Sequence, residues 1–127
     1  NTTPDATDEE KATAISRVNS ELANVKQQIN TEHTSQGVNN VKANALMAIA
    51  QITAQPIEKA TARNAVKLKA NEQTIAINNN NNSTDEEKAE ALGRIETAKQ
   101  DALNNISSAT TNLAVTSAKN VGVSSID

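Results

Sequence analysis

Any acid–base or metal chemistry in this chain would have to come from one histidine, fifteen carboxylates and the Ser and Thr hydroxyls, because cysteine is absent. His33 lies beside Glu32 in a stretch read as a connection between two helices. No second histidine and no thiolate exist to complete a zinc set, so it reads as a solvated loop histidine. A nucleophilic triad fails for the same want of a supporting base. The carboxylates bunch at Asp8-Glu9-Glu10 and Asp85-Glu86-Glu87, each after a threonine in the pattern Thr-x-x-Glu. That pattern is a helix capping box, and carboxylates in a first turn meet the positive end of the helix dipole. The alternating Asp spacing of a calcium loop is missing. Capping therefore explains these acids better than metal binding or proton transfer does. No catalytic residue, no metal and no cofactor are expected.

One basic cluster remains. Lys59, Arg63 and Lys67 recur every fourth residue with Lys69 nearby, and residues 1–77 hold eight basic and eight acidic groups against four and seven in 78–127. The stripe would give weak, salt-sensitive association with an anionic wall polymer or extracellular DNA. A solvated helix face, partly paired by Glu58 and Glu72, is the plainer account. The net charge of −3 gives no general attraction to nucleic acid or anionic lipid, and the lack of aromatics removes stacking platforms, so no nucleic-acid partner is expected.

The elements that carry these residues follow from composition and spacing. The 127 residues include no Phe, Trp, Tyr or Cys, three Gly and two Pro, with 21 Ala and only 25 bulky apolar side chains. A core this thin suits close-packed helices. With 18 Asn and 14 Thr and no aromatics, a sandwich or barrel is disfavoured. No apolar run approaches the roughly 18 residues of a membrane span. The first residue is Asn1 and no signal-peptide pattern follows, so the chain is expected to be a piece of something longer.

Thr7-Asp8-Glu9-Glu10-Lys11-Ala12 returns as Thr84-Asp85-Glu86-Glu87-Lys88-Ala89, an offset of 77. At that offset Ala14, Arg17, Ile29, Thr34, Val38, Lys42 and Ile49 also find identical partners, giving 14 identities in 50 aligned positions. Ile15/Leu92, Val18/Ile95 and Leu46/Val123 are conservative pairs. The chain thus holds about one and two-thirds copies of a repeat.

Each copy reads as three helices. The first begins at Thr7, with Ile15, Val18, Leu22, Val25 and Ile29 inward, and ends near Thr31. The second begins at Thr34 or Ser35, turns Val38, Val41, Ala45, Leu46, Ile49 and Ile52 inward, and stops before Gln55-Pro56. The third runs from Pro56 to Asn78 with Ile57, Ala60, Ala65, Leu68, Ile75 and Ile77 inward. Five asparagines, Asn78 to Asn82, form a flexible connector before the second copy. That copy buries Leu92, Ile95, Ala102 or Leu103, and Ile106, then Val115, Ala118, Val123 and Ile126 in a final helix from Thr110 or Thr111. Gly122 and the Ser124-Ser125 pair are expected to let its last turn fray. Periodicity allows two bundle frames, 7–78 or 56–127.

The Thr-Asp-Glu-Glu-Lys helix start, the stretch Pro4 to Lys11, the Ile52 to Pro56 boundary and the run Ser83 to Ala89 together resemble a known family. It is the helical repeat of unknown function arrayed in giant staphylococcal cell-wall surface proteins of the Ebh, FmtB and SasC type. The resemblance covers essentially the whole chain. It implies an all-α fold of tandem three-helix bundles in an elongated rod without a sheet. It places the unit boundary at Gln55-Pro56, making 1–55 a partial repeat of two helices and 56–127 a complete one. It also implies an extracellular, wall-anchored parent associated with adhesion, aggregation and biofilm, and offers no site motif to carry over. The Asn78 to Asn82 run departs from the family, which more often has a Pro-containing turn there. Two functions follow: a non-enzymatic spacer whose partners are neighbouring repeats, or a module that itself binds host matrix protein or anionic wall polymer weakly and multivalently.

Overall fold

The computed structural model describes residues 3–127, which form five helices and, among those residues, no strand. They are α1 (Asp8–Thr31), α2 (Ser35–Ala50), α3 (Ile57–Asn78), α4 (Asp85–Ser108) and α5 (Asn112–Ile126). The chain divides into two compact units, residues 1–55 and 56–127. In the first, α1 pairs with α2; in the second, α3, α4 and α5 all pack on one another as a three-helix bundle.

Threonine starts four of the five helices. Thr7 Oγ1 accepts from the Glu10 amide at 3.3 Å while the Glu10 carboxylate accepts from the Thr7 amide at 2.8 Å. The second copy repeats this box at Thr84 and Glu87, with 3.2 and 2.8 Å. Thr34 caps α2 through the Gly37 amide, and Thr111 caps α5 through the Ala114 amide. Each cap satisfies amides that a helix start leaves without partners. Helix α3 instead begins behind Pro56, which makes no side-chain cap.

In residues 56–127, Val66 and Ile106 are fully buried and Val115 nearly so, in a core completed by Ala62, Ala70, Ile95, Ala102 and Ile126. The α3 face differs from the one its large apolar residues imply. Ile57, Leu68 and Ile75 are 61, 63 and 52% exposed, and Ala60 is exposed too, whereas Lys59, Ala62, Val66 and Ala70 turn inward. Small residues make up most of that face, packed against Ile95, Ile106, Val115 and Ile126 of α4 and α5, with Ile77 at its edge. Helix α5 also stays regular to Ile126, where fraying is expected from Gly122 and its serines. Gly122 is buried: a Cβ there would lie 2.3 Å from the Ala102 Cβ, so the glycine permits close approach of α4 and α5.

In residues 3–55 the buried cluster is smaller: Ala6, Ala14 and Ala54, with Ile52 packed against it. Helix α2 ends at Ala50, short of the expected run to residue 54. Gln55 is kept out of helical conformation by Pro56, and leaving the helix at Gln51 lets Ile52 and Ala54 turn onto Ala14. Between α3 and α4 the asparagine run makes a short turn, in which the Asn79 amide donates to the Ile75 carbonyl and Asn80 Oδ1 accepts from the Asn82 amide.

Candidate functional site

The basic residues of α3 do not form one solvent-facing stripe. Eight residues along a helix rotate by about 80°, so Lys59 and Lys67 cannot share a face once one of them points inward. Lys59 is only 3% exposed, and its Nζ donates to the Ser107 carbonyl at 2.8 Å. Arg63 Nη2 donates to Ser107 Oγ at 3.1 Å, and that hydroxyl donates to the Leu103 carbonyl at 2.9 Å. Lys67 is exposed and lines a groove between α3 and α4. Lys69 forms an ion pair with Asp127, which also accepts from Gln73 Nε2 at 2.9 Å. The hydrogen bond and then the charge of Lys69 hold the Asp127 carboxyl below the usual carboxylate range.

These contacts are those of a helix clamp. Ser107 lies in the last turn of α4, where carbonyls lack an amide four residues on and the helix dipole favours a cation. That last turn contains no basic residue of its own, so a cation from α3 supplies the charge from 48 residues away in sequence. The separation is why periodicity within α3 does not disclose the role of Lys59. The only sequence signals are the absence of a basic residue at the α4 end and the inward phase of Ala62, Val66 and Ala70.

His33 is exposed in the connection between α1 and α2. Among the described residues, no three His, Cys, Asp or Glu side chains converge to hold a metal ion, and no helix is long and apolar enough to cross a membrane. Glu10 and Glu87 are engaged as capping partners.

The back of each α1–α2-type pair carries a shallow groove at equivalent repeat positions. On α4 and α5 it is lined by Gly93, Arg94, Thr97, Ala98, Asp101 and Ser125; at the matching positions of α1 and α2 the lining is Ser16, Arg17, Ser20, Glu21, Asn24 and Ala48. Arg94 and Arg17 recur there, as do the hydroxyls of Thr97 and Ser20, while Gly93/Ser16 and Ala98/Glu21 are more polar in the first copy and Ser125/Ala48 in the second. What the copies share is the cap and the apolar helix positions.

The family model described as Domain of Unknown Function (DUF1542) matches residues 1–57 and again 58–127. An "Extracellular matrix-binding protein ebh" of Staphylococcus aureus strain MRSA252 is 34% identical over 123 residues, 97% of this chain and 1% of its own length. An "Extracellular matrix-binding protein EbhA" of strain Newman is 33% identical over the same share of this chain and 4% of its own. The chain therefore spans a very small fraction of the relatives it resembles. No solved structure matches it significantly.

Proposed function

The chain belongs to the DUF1542 family, and from that footing we propose that it is a non-enzymatic structural repeat from the stalk of an extracellular bacterial surface protein. In this reading, residues 56–127 are one complete three-helix repeat and residues 1–55 are part of another. Stacked copies make an elongated spacer that holds a functional region away from the cell wall, in a protein serving adhesion, aggregation or biofilm. The observation that carries the proposal is the contrast between the two copies. Capping threonines and apolar helix positions recur, while the grooves in the same place differ in polarity at Gly93/Ser16, Ala98/Glu21 and Ser125/Ala48, and the α3 cations serve α4 in one bundle. A repeat kept for shape retains what folds it and lets its surface vary. Nearest-neighbour arrays obtain their stability from the units and their interfaces. The test is small-angle scattering on arrays of one, two and four copies. A maximum dimension that rises steadily with copy number is expected, and compact particles of unchanging length would sink the spacer.

The relatives' names favour a second reading, in which each copy binds host matrix protein or anionic wall polymer weakly and avidity supplies the strength. Since Lys59 is committed within the bundle and Arg63 is bonded to Ser107, a polyanion would have to meet Lys67. Binding of one-, two- and four-copy arrays to immobilised matrix at several salt concentrations separates the readings, because a pure spacer binds at no valency.

A further inference from the structure

The outward side of α3 carries an apolar stripe that the bundle does not use. Ile57, Leu68 and Ile75 stand 11 and 7 residues apart, which at about 100° per residue brings all three within about 20° of one line. They are 61, 63 and 52% exposed, and the buried Ala62, Val66 and Ala70 lie on the opposite side of the helix. Thr61, Asn64 and Asn71, all exposed, fill the line between them. In a seven-residue frame that puts Leu68 and Ile75 at position a, Ile57, Asn64 and Asn71 fall at d. Exposed Lys67 then stands at g and exposed Glu72 at the following e, one on each flank of the stripe.

We propose that this stripe is a self-association face, through which α3 pairs with α3 of a second copy of this chain, parallel and in register. Charge selects the direction. In a parallel pair each g residue meets the e residue five positions further on in its partner, so Lys67 of each copy faces Glu72 of the other. An antiparallel pair instead sets the lysine flanks together and the glutamate flanks together. Layer chemistry selects the register. With no slip, Leu68 and Ile75 meet their own equivalents, and so does each asparagine, where one side-chain amide donates to the other's carbonyl oxygen. A slip of seven residues sets Ile57 against Asn64 and Thr61 against Leu68, covering polar groups without giving them partners. A stripe about 27 Å long and one helix, about 10 Å, across covers roughly 300 Å² per copy, well short of the about 800 Å² per partner of a stable complex. One pair is therefore weak, and copies held side by side on parallel chains add their contacts. Pairing of this kind is separate from the spacer reading, because it needs a second chain whatever the length of an array.

The full 127-residue chain has no cysteine, so one introduced thiol reports one neighbour. At about 1 mM chain under mild oxidation, Asn64→Cys and Asn71→Cys should each form disulfide dimers at least about tenfold faster than Asn120→Cys, exposed on α5. When the two are mixed, one of them isotope-labelled, intact mass should show dimers of like with like. Mixed dimers in the majority would mean antiparallel pairing and overturn the proposal. In the Asn64→Cys chain, Leu68→Asp should slow cross-linking about tenfold while Leu113→Asp, at an exposed leucine of α5, should not. Glu72→Lys should slow it severalfold, and adding Lys67→Glu should restore it, a rescue that loss of folding cannot mimic. Cross-linking at Asn64→Cys no faster than at Asn120→Cys overturns the proposal. Equal slowing by Leu68→Asp and Leu113→Asp does so too, as does failure of the charge exchange to rescue.

Discussion

Replacing Lys59 by methionine separates a structural cation from a ligand-binding one. Methionine retains most of the buried stem and loses the ammonium, so packing changes little while the 2.8 Å donation to Ser107 disappears. A hydrogen bond from a charged donor contributes about 1.5–3 kcal/mol, and its loss leaves the Ser107 carbonyl without that partner. Against this stands the relief of an ammonium that is only 3% exposed, which offsets part of the loss. A net destabilisation of about 1–2 kcal/mol is expected. For a unit of this size that is a fall in Tm of roughly 4–16 °C, at about 4–8 °C per kcal/mol. Thermal and urea unfolding followed by far-UV circular dichroism measures it, and amide exchange at Ser108 and Ala109 locates it, because opening of the last turn of α4 should accelerate there first. Lys59→Ala should cost more, since it also removes the stem. A Lys59→Met chain as stable as the parent, with unchanged exchange at those amides, would refute the clamp and return Lys59 to the solvated face.

The two glycines of α4 and α5 should respond with opposite sign. Gly93→Ala meets nothing within 4 Å and should gain about 1 kcal/mol from helix propensity, whereas Gly122→Ala meets the Ala102 Cβ at 2.3 Å and should lose about 1–2 kcal/mol net in thermal melts. The α3 register predicts that Val66→Ala costs about 1–3 kcal/mol in urea unfolding, and that Leu68→Ala, at 63% exposure, stays within about 0.5 kcal/mol. Thr84→Ala should remove about 1 kcal/mol by uncapping α4, and Thr7→Ala, at a fully buried threonine, should cost more, both read from helix melting. Asp127 has a folded pKa below its unfolded one, so its pairing stabilises the bundle above the unfolded carboxylate pKa of about 4 and is lost as pH falls through the folded value. Asp127→Asn should flatten that part of the stability–pH profile.

Helix starts and the all-α class are legible in the residues because caps act over four positions and leave a local signature. The face of α4 is legible for a similar reason, since Leu92, Ile95 and Ile106 recur at helical spacing and turn inward, whereas on α1 Ile15 and Leu22, expected inward, are 47 and 42% exposed and Ala14 is buried. Helix α3 is different. Its largest apolar residues point outward, and its inward face is made of alanines, a valine and a lysine whose phase only α4 and α5 decide. Gly122 reads as a weak point in isolation and as a contact once Ala102 lies against it. The basic residues of α3 follow the same rule. A spacing of four keeps residues near one another on a helix without fixing which way they face, and the partner of Lys59 lies on another helix.

The paired capping boxes have a consequence for how such a chain tolerates genetic change. Each helix start is specified inside four contiguous residues, Thr7 to Glu10 and Thr84 to Glu87, with no contribution from the preceding segment to the two reciprocal hydrogen bonds. A duplication or deletion whose seam falls upstream of the threonine leaves that start intact, whatever sequence it joins. The asparagine turn ahead of Thr84 is such a seam, able to absorb length differences without altering the helix that follows.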